Sequence, residues 1–125
     1  MVYLWVGLAG GLGAVLRLLV YRLTLVTGTT AWPLATLLVN VLGSFLIGLL
    51  IVLCQQRWTV SEELKLAITT GLLGGFTTFS AFSLETVQML ERGEVVRPAF
   101  YVLSTVMLCL LACWFGLVAA RLMVR

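Results

Sequence analysis

The chain has 125 residues, 62% of them hydrophobic and 10% charged, with a formal net charge of +3 and a mean hydropathy of +1.14, values that exclude an ordinary soluble domain. A membrane-spanning helix needs roughly 20 mainly apolar residues, so four spans with short loops use nearly the whole chain and leave no room for a soluble domain. There is no histidine, and the three cysteines form no CxxC, so nothing has the spacing of a zinc or haem site and metal-dependent catalysis is not expected.

The first predicted span covers about residues 2–23 and is rich in small residues at Gly7, Gly10, Gly11, Gly13 and Ala14, which let another helix backbone approach closely. It has no basic region ahead of it and runs on through Arg17 to Tyr21 without a clear cleavage site, so it reads as a retained helix and not a signal peptide. A loop from Thr27 to Ala31 precedes Trp32 and Pro33, which suit the membrane interface and the first turn of a helix. The second span covers about 33–54 and ends at Gln55, Gln56 and Arg57. Ser61, Glu62 and Glu63 then supply a cap and first-turn acids for a third span over about 62–90. Glu91-Arg92-Gly93-Glu94 turns into a fourth over about 95–120, and the chain closes on Arg121 and Arg125. This is an all-α membrane protein, a single domain over 1–125.

With four spans, both termini and the Arg57 loop share one side of the membrane. Arg57, Lys65, Arg121 and Arg125 fall on that side and Arg17, Arg22, Arg92 and Arg97 on the other, four against four. The positive-inside rule then gives no electrostatic reason for one orientation, and insertion in both is expected.

Polar residues inside a span need a reason, because an unsatisfied polar group in hydrocarbon costs several kcal/mol. Thr36, Asn40, Ser44 and Gly48 are spaced four apart on the second span, and Tyr101, Thr105, Cys109 and Cys113 repeat that spacing on the fourth, with Ser104 alongside. Each set lies on one helix face. On the third span Thr77, Ser80 and Ser83 recur every three residues, interleaved with Phe79 and Phe82. Interhelical hydrogen bonding and an ion pathway both fit such stripes. Cys54, Cys109 and Cys113 all fall in apolar segments, where a free thiol packs as a small hydrophobe.

The third span also carries Gly71, Gly74 and Gly75 ahead of the β-branched pair Thr77-Thr78, a combination that weakens helical hydrogen bonding and predicts a break near mid-membrane at Gly74-Gly75-Phe76-Thr77-Thr78. Irregular backbone at that depth is tolerated where it is buried in protein or lines a cavity, and its freed carbonyls can coordinate a cation. A kink for close packing is the other reading. Arg17 lies within snorkelling reach of the interface and could equally charge a water-filled vestibule, and Glu85 is the one acid clearly embedded in a span.

Three segments resemble the Fluc (CrcB) family of fluoride channels: Gly10 to Arg17 is similar to the GxxGAxxR part of its GGxxGAxxR signature, Thr36 to Phe45 to its TLxVNxxGSF segment, and Gly71 to Phe82 to its GxxGGxTTFSxF segment. The resemblance covers essentially the whole chain. It implies a fluoride-selective channel for passive fluoride export and resistance, neither an enzyme nor a nucleic-acid binder, placed in the inner membrane as an antiparallel, dual-topology homodimer. It implies two fluoride pathways beside a central structural sodium, with Gly74 and Thr77 offering backbone carbonyls to the sodium. Phe79, Phe82 and Asn40 take the pore positions, Ser80, Thr36, Tyr101 and Thr105 continue the polar track, and Arg17 and Glu85 stand at the vestibule. Cys109 departs from the pattern, standing where a hydroxyl would continue the track.

The chemistry suits the ion. A strongly hydrated anion must exchange water for weak neutral donors, and amide, hydroxyl and aromatic ring-edge groups supply them without binding so tightly as to prevent exit. A small multidrug-type, proton-coupled transporter is the main alternative, but its expected first-helix carboxylate is missing. The other is a non-transporting assembly subunit, against which three polar stripes and a mid-span break weigh.

Overall fold

The computed structural model describes residues 1–28, 32–57 and 59–125. Among them, four helical spans are long and apolar enough to cross a membrane. α1 runs Val2–Val26 and α2 Leu34–Gln56. Most of the loop expected at Thr27 to Ala31 lies outside the described residues.

The third span, Glu62–Glu91, is assembled from pieces. α3 (Glu62–Leu66) starts with the Ser61 side chain accepting from Leu64 N at 3.2 Å, with Glu62 and Glu63 in the first turn. The helix then widens into a π-helical stretch over Ala67–Leu73 and retightens in α4 (Gly74–Phe76). Thr77 and Thr78 are extended, at φ −83°, ψ 160° and φ −153°, ψ 111°. α5 (Phe79–Glu91) restarts with the Thr78 hydroxyl accepting from Ala81 N at 3.1 Å. The expected break is thus two extended residues preceded by a π-widened turn, a feature often found at functional sites.

Gly93, at φ +79°, closes α5, with Gly93 N donating to Leu90 O and Glu94 N to Met89 O. Only glycine adopts that conformation without penalty. In the same turn Glu94 accepts from Arg92 and Arg97 at 2.9 and 3.3 Å, and the Arg92 bond holds its carboxyl below the usual carboxylate range. The last helix, α6, spans Val96–Met123.

Two close helix contacts organise the molecule. α1 lies against the π-helical stretch and α4, and α2 against α6. Both depend on small residues: a Cβ at Gly13 would collide with the Leu72 carbonyl, and one at Gly116 with the Phe45 carbonyl. Backbone thereby meets backbone, which raises dispersion contact where no water is available to drive association. The glycine-rich face of α1 is divided, however. Gly10 and Gly13 meet the third span, whereas Gly7 and Gly11 have nothing within 4 Å.

Small buried clusters complete the interior, one of Val52, Leu53 and Ala120 and another of Phe82, Met89 and Tyr101 with Trp32 and Val102 packed against it. Arg57 donates to Met123 O at 2.9 Å, tying the end of α2 to that of α6. In α1 only Gly13 is buried; the rest of its apolar surface suits a lipid surround.

Candidate functional site

A cavity of about 430 Å³ opens where α2, the broken span and α6 converge. The stripes set its walls: Asn40 and Ser44 from α2, Gly74, Thr77 and Thr78 from the break, Phe79 and Phe82 from α5, and Thr105 and Cys109 from α6. The facing stripes of the second and fourth spans therefore do meet, and they meet beside the break.

Asn40 is held on both sides of its amide. Its Oδ1 accepts from Thr78 N at 2.8 Å and its Nδ2 donates to Thr78 O at 3.0 Å. Both backbone polar groups of an extended residue are thus satisfied at a depth where water is scarce. Thr105 presents the opposite case. It is 5% exposed and lines the cavity, yet its hydroxyl is the one buried side-chain oxygen without a hydrogen-bond partner among the described residues. A buried hydroxyl left alone costs about 1–3 kcal/mol.

The two phenylalanines are differently placed. Phe82 is 7% exposed and stacks between Phe79 and Tyr101, with ring centroids 5.4 and 5.2 Å away. Phe79 is 77% exposed and forms the cavity's outer edge.

Thr36, Glu85 and Tyr101 do not line this cavity. They form a hydrogen-bonded cluster behind Phe82, in which Thr36 Oγ1 donates to Glu85 Oε1 at 2.6 Å and Tyr101 OH to Glu85 Oε2 at 2.8 Å. Tyr21 OH bonds to Thr36 Oγ1 in turn, and because Thr36 has given its proton to Glu85, Tyr21 is the donor there. One carboxylate thereby organises α1, α2, α5 and α6, with each of its oxygens accepting a hydrogen bond. Arg17 stands apart from the carboxylate, lining a second cavity of about 290 Å³ with Tyr21 and Ala81 and directing Nη1 at Thr77 O from 3.5 Å. Ser80 is exposed and lines neither cavity; its hydroxyl sits 3.2 Å from that of Thr78.

Two residues matter more here than their sequence context suggested. Thr78 both caps α5 and receives Asn40, although it read only as half of a β-branched pair. Tyr21, four residues after Arg17, joins the Glu85 cluster; a tyrosine near the end of an apolar span was the available signal.

The break also bears on whether a cation fits. In an unbroken helix Thr78 N would bond Gly74 O and Ala81 N would bond Thr77 O. Here the first goes to Asn40 Oδ1 and the second to the Thr78 hydroxyl. The carbonyls of residues 74–77 therefore all lose their helical donors, those of Gly74 and Thr77 among them, and Arg17 Nη1 stands 3.5 Å from Thr77 O. A hard cation prefers such neutral oxygens, and no group of three or more His, Cys, Asp or Glu able to hold a metal occurs among the described residues. Backbone carbonyls freed in this way can coordinate a cation.

The family model described as "CrcB-like protein, Camphor Resistance (CrcB)" matches residues 4–117. The chain is 46% identical over 112 residues to the fluoride-specific ion channel FluC of Geobacter sulfurreducens, covering 90% of each chain. It is 46% identical over 118 residues to that of Magnetococcus marinus, covering 94% of this chain and 96% of the relative. With that of Rhizobium meliloti the identity is 45% over 121 residues, 97% of both. Together with the four apolar spans, these matches make the protein a multi-pass inner-membrane protein of a transport family and not an enzyme: the chain belongs to the CrcB/FluC family of fluoride channels.

Proposed function

We propose that the chain conducts fluoride selectively and passively out of the cell as an antiparallel, dual-topology homodimer with two pathways and a central structural sodium. The observation that carries this reading is the unpartnered, buried Thr105 hydroxyl in a cavity edged by Phe79 and Phe82. A dehydrated anion of fluoride's size needs neutral donors, and that hydroxyl is one without a protein partner. The ring edges of the two phenylalanines offer partial positive charge along the same wall. Among the described residues no lysine or arginine lines the cavity, so an ion that enters is not held by a fixed charge there.

A second copy seated against Phe79, which a single chain leaves 77% exposed beside the cavity, would close the cavity into a conduit. Gly74 and Thr77 would hold the sodium, which when bound would supply a fixed positive charge at the break. Glu85 fits poorly as the drug- and proton-binding acid of a multidrug transporter, because both its oxygens already accept hydroxyl hydrogen bonds.

The test is efflux from liposomes monitored with a fluoride electrode. Rapid fluoride loss without comparable chloride loss is expected, with Phe79→Ile slowing it while the protein still elutes as a dimer. Flux no faster than from empty liposomes sinks the reading.

A further inference from the structure

We infer that Asn40 is a positioning residue that builds the cation site, acting on the break through the backbone of Thr78. The inference rests on the sodium reading proposed above. Asn40 Oδ1 takes the Thr78 N–H at 2.8 Å and Nδ2 gives a proton to Thr78 O at 3.0 Å. An amide whose oxygen faces a backbone donor and whose nitrogen faces a backbone acceptor is oriented by the chain, and at most one of its N–H groups is left for an ion.

What this orientation does is competitive. The Thr78 N–H has two possible acceptors, Gly74 O through a helical i→i+4 bond and Asn40 Oδ1. While Asn40 wins, the chain stays extended at Thr77 and Thr78 and Gly74 O is left without its helical donor. If Asn40 is withdrawn, the acceptor that a continuous helix offers that N–H is Gly74 O. The helix then closes across the break, and the carbonyl that would face a cation is consumed by the backbone. The neighbourhood is consistent with this role. Gly43, one turn after Asn40, is filled by the Thr77 side chain, so α2 presses the break from the same side on which Asn40 holds it.

Two substitutions separate the roles. Asn40→Leu removes both hydrogen bonds with similar volume, whereas Asn40→Asp keeps the acceptor for Thr78 N–H but places a negative charge beside the anion's cavity. The purified full-length protein is heated in detergent across a series of sodium chloride concentrations, with N-methylglucamine chloride making up the ionic strength, and dimer survival is read by gel filtration. Fluoride efflux is measured in parallel.

The wild-type dimer is expected to survive better in sodium. Asn40→Leu should shift the sodium midpoint upward by about tenfold or more, while Asn40→Asp keeps a midpoint within about threefold of wild type or below it and still loses flux. An unshifted midpoint in Asn40→Leu overturns the assignment and leaves the sodium reading standing. Absence of any sodium response in the wild type overturns both. Should Asn40→Leu not fold, Asn40→Asp decides alone: a midpoint raised tenfold or more contradicts the proposal, because the acceptor that holds the break open is still present.

Discussion

Thr105 and Glu85 show the two ways in which this protein treats a polar group buried in an apolar surround. Glu85 has hydroxyl donors on both oxygens, and its cluster reads as structural: Tyr101→Phe removes one of the two and should destabilise the protein by about 1–3 kcal/mol, the cost of leaving a buried acceptor short of a partner. Thr105 has no such partner. Thr105→Val is therefore expected to leave thermal stability unchanged or raise it slightly, since it discards an unsatisfied group at constant shape. If the hydroxyl serves the ion, the same substitution removes a hydrogen bond to a charged species worth about 1.5–3 kcal/mol, a slowing of fluoride efflux on the order of tenfold to a hundredfold. Thermal unfolding and electrode-monitored efflux on one preparation check both halves. A variant that loses stability but keeps its flux would assign Thr105 to packing. Hydroxyl stripes were plain in the sequence, but which hydroxyl was spoken for was not, because the acceptors lie 16 and 49 residues away along the chain.

At the scale of the helices, the interrupted third span is held by its neighbours. α1 lies backbone to backbone against the π-helical stretch and α4, where Gly75 faces the Gly10 carbonyl and Gly13 that of Leu72. α2 reaches the extended residues through Asn40. Gly13→Ala should force α1 off the widened turn and cost about 1–3 kcal/mol, as overpacking a tight contact does. Gly11→Ala on the open face should be neutral or stabilise the isolated helix by up to about 1 kcal/mol, the helix-propensity difference between the two residues. Thermal melts of the two variants in detergent compare them, and equal melting temperatures would contradict the packing account. The sequence announced close packing for every glycine of this face. Only the neighbour's position divides Gly13 from Gly11, and it depends on the register in which α1 meets the third span, with all of α2 between them in the chain.

Across the whole molecule, the even spread of basic residues and the exposed Phe79 bear on the same question of assembly. Four basic residues on each side leave the insertion machinery without an electrostatic preference, and an antiparallel dimer needs both orientations. A tag on the C-terminus is expected to be reached by a membrane-impermeant reagent in about half of the molecules, and labelling confined to one face would defeat dual topology. Adding two lysines after Arg125 should bias the chain toward one orientation and lower the yield of functional dimer, which co-expression with an oppositely biased variant should restore.

The sequence by itself determined the class of protein, the number of spans, the location of the break and the kinship, because hydropathy, glycine content and contiguous motifs are local properties that need no knowledge of neighbours. It also named both phenylalanines and every polar side chain at the cavity but Thr69. Tertiary structure alone decided how they are used. It separated Thr36, Glu85 and Tyr101 into a satisfied cluster behind Phe82, left Thr105 without a partner, and turned the Asn40 amide toward the backbone of Thr78. The physical reason is that a hydrogen-bonding group's role depends on what satisfies it, and in these spans the satisfying groups come from other helices.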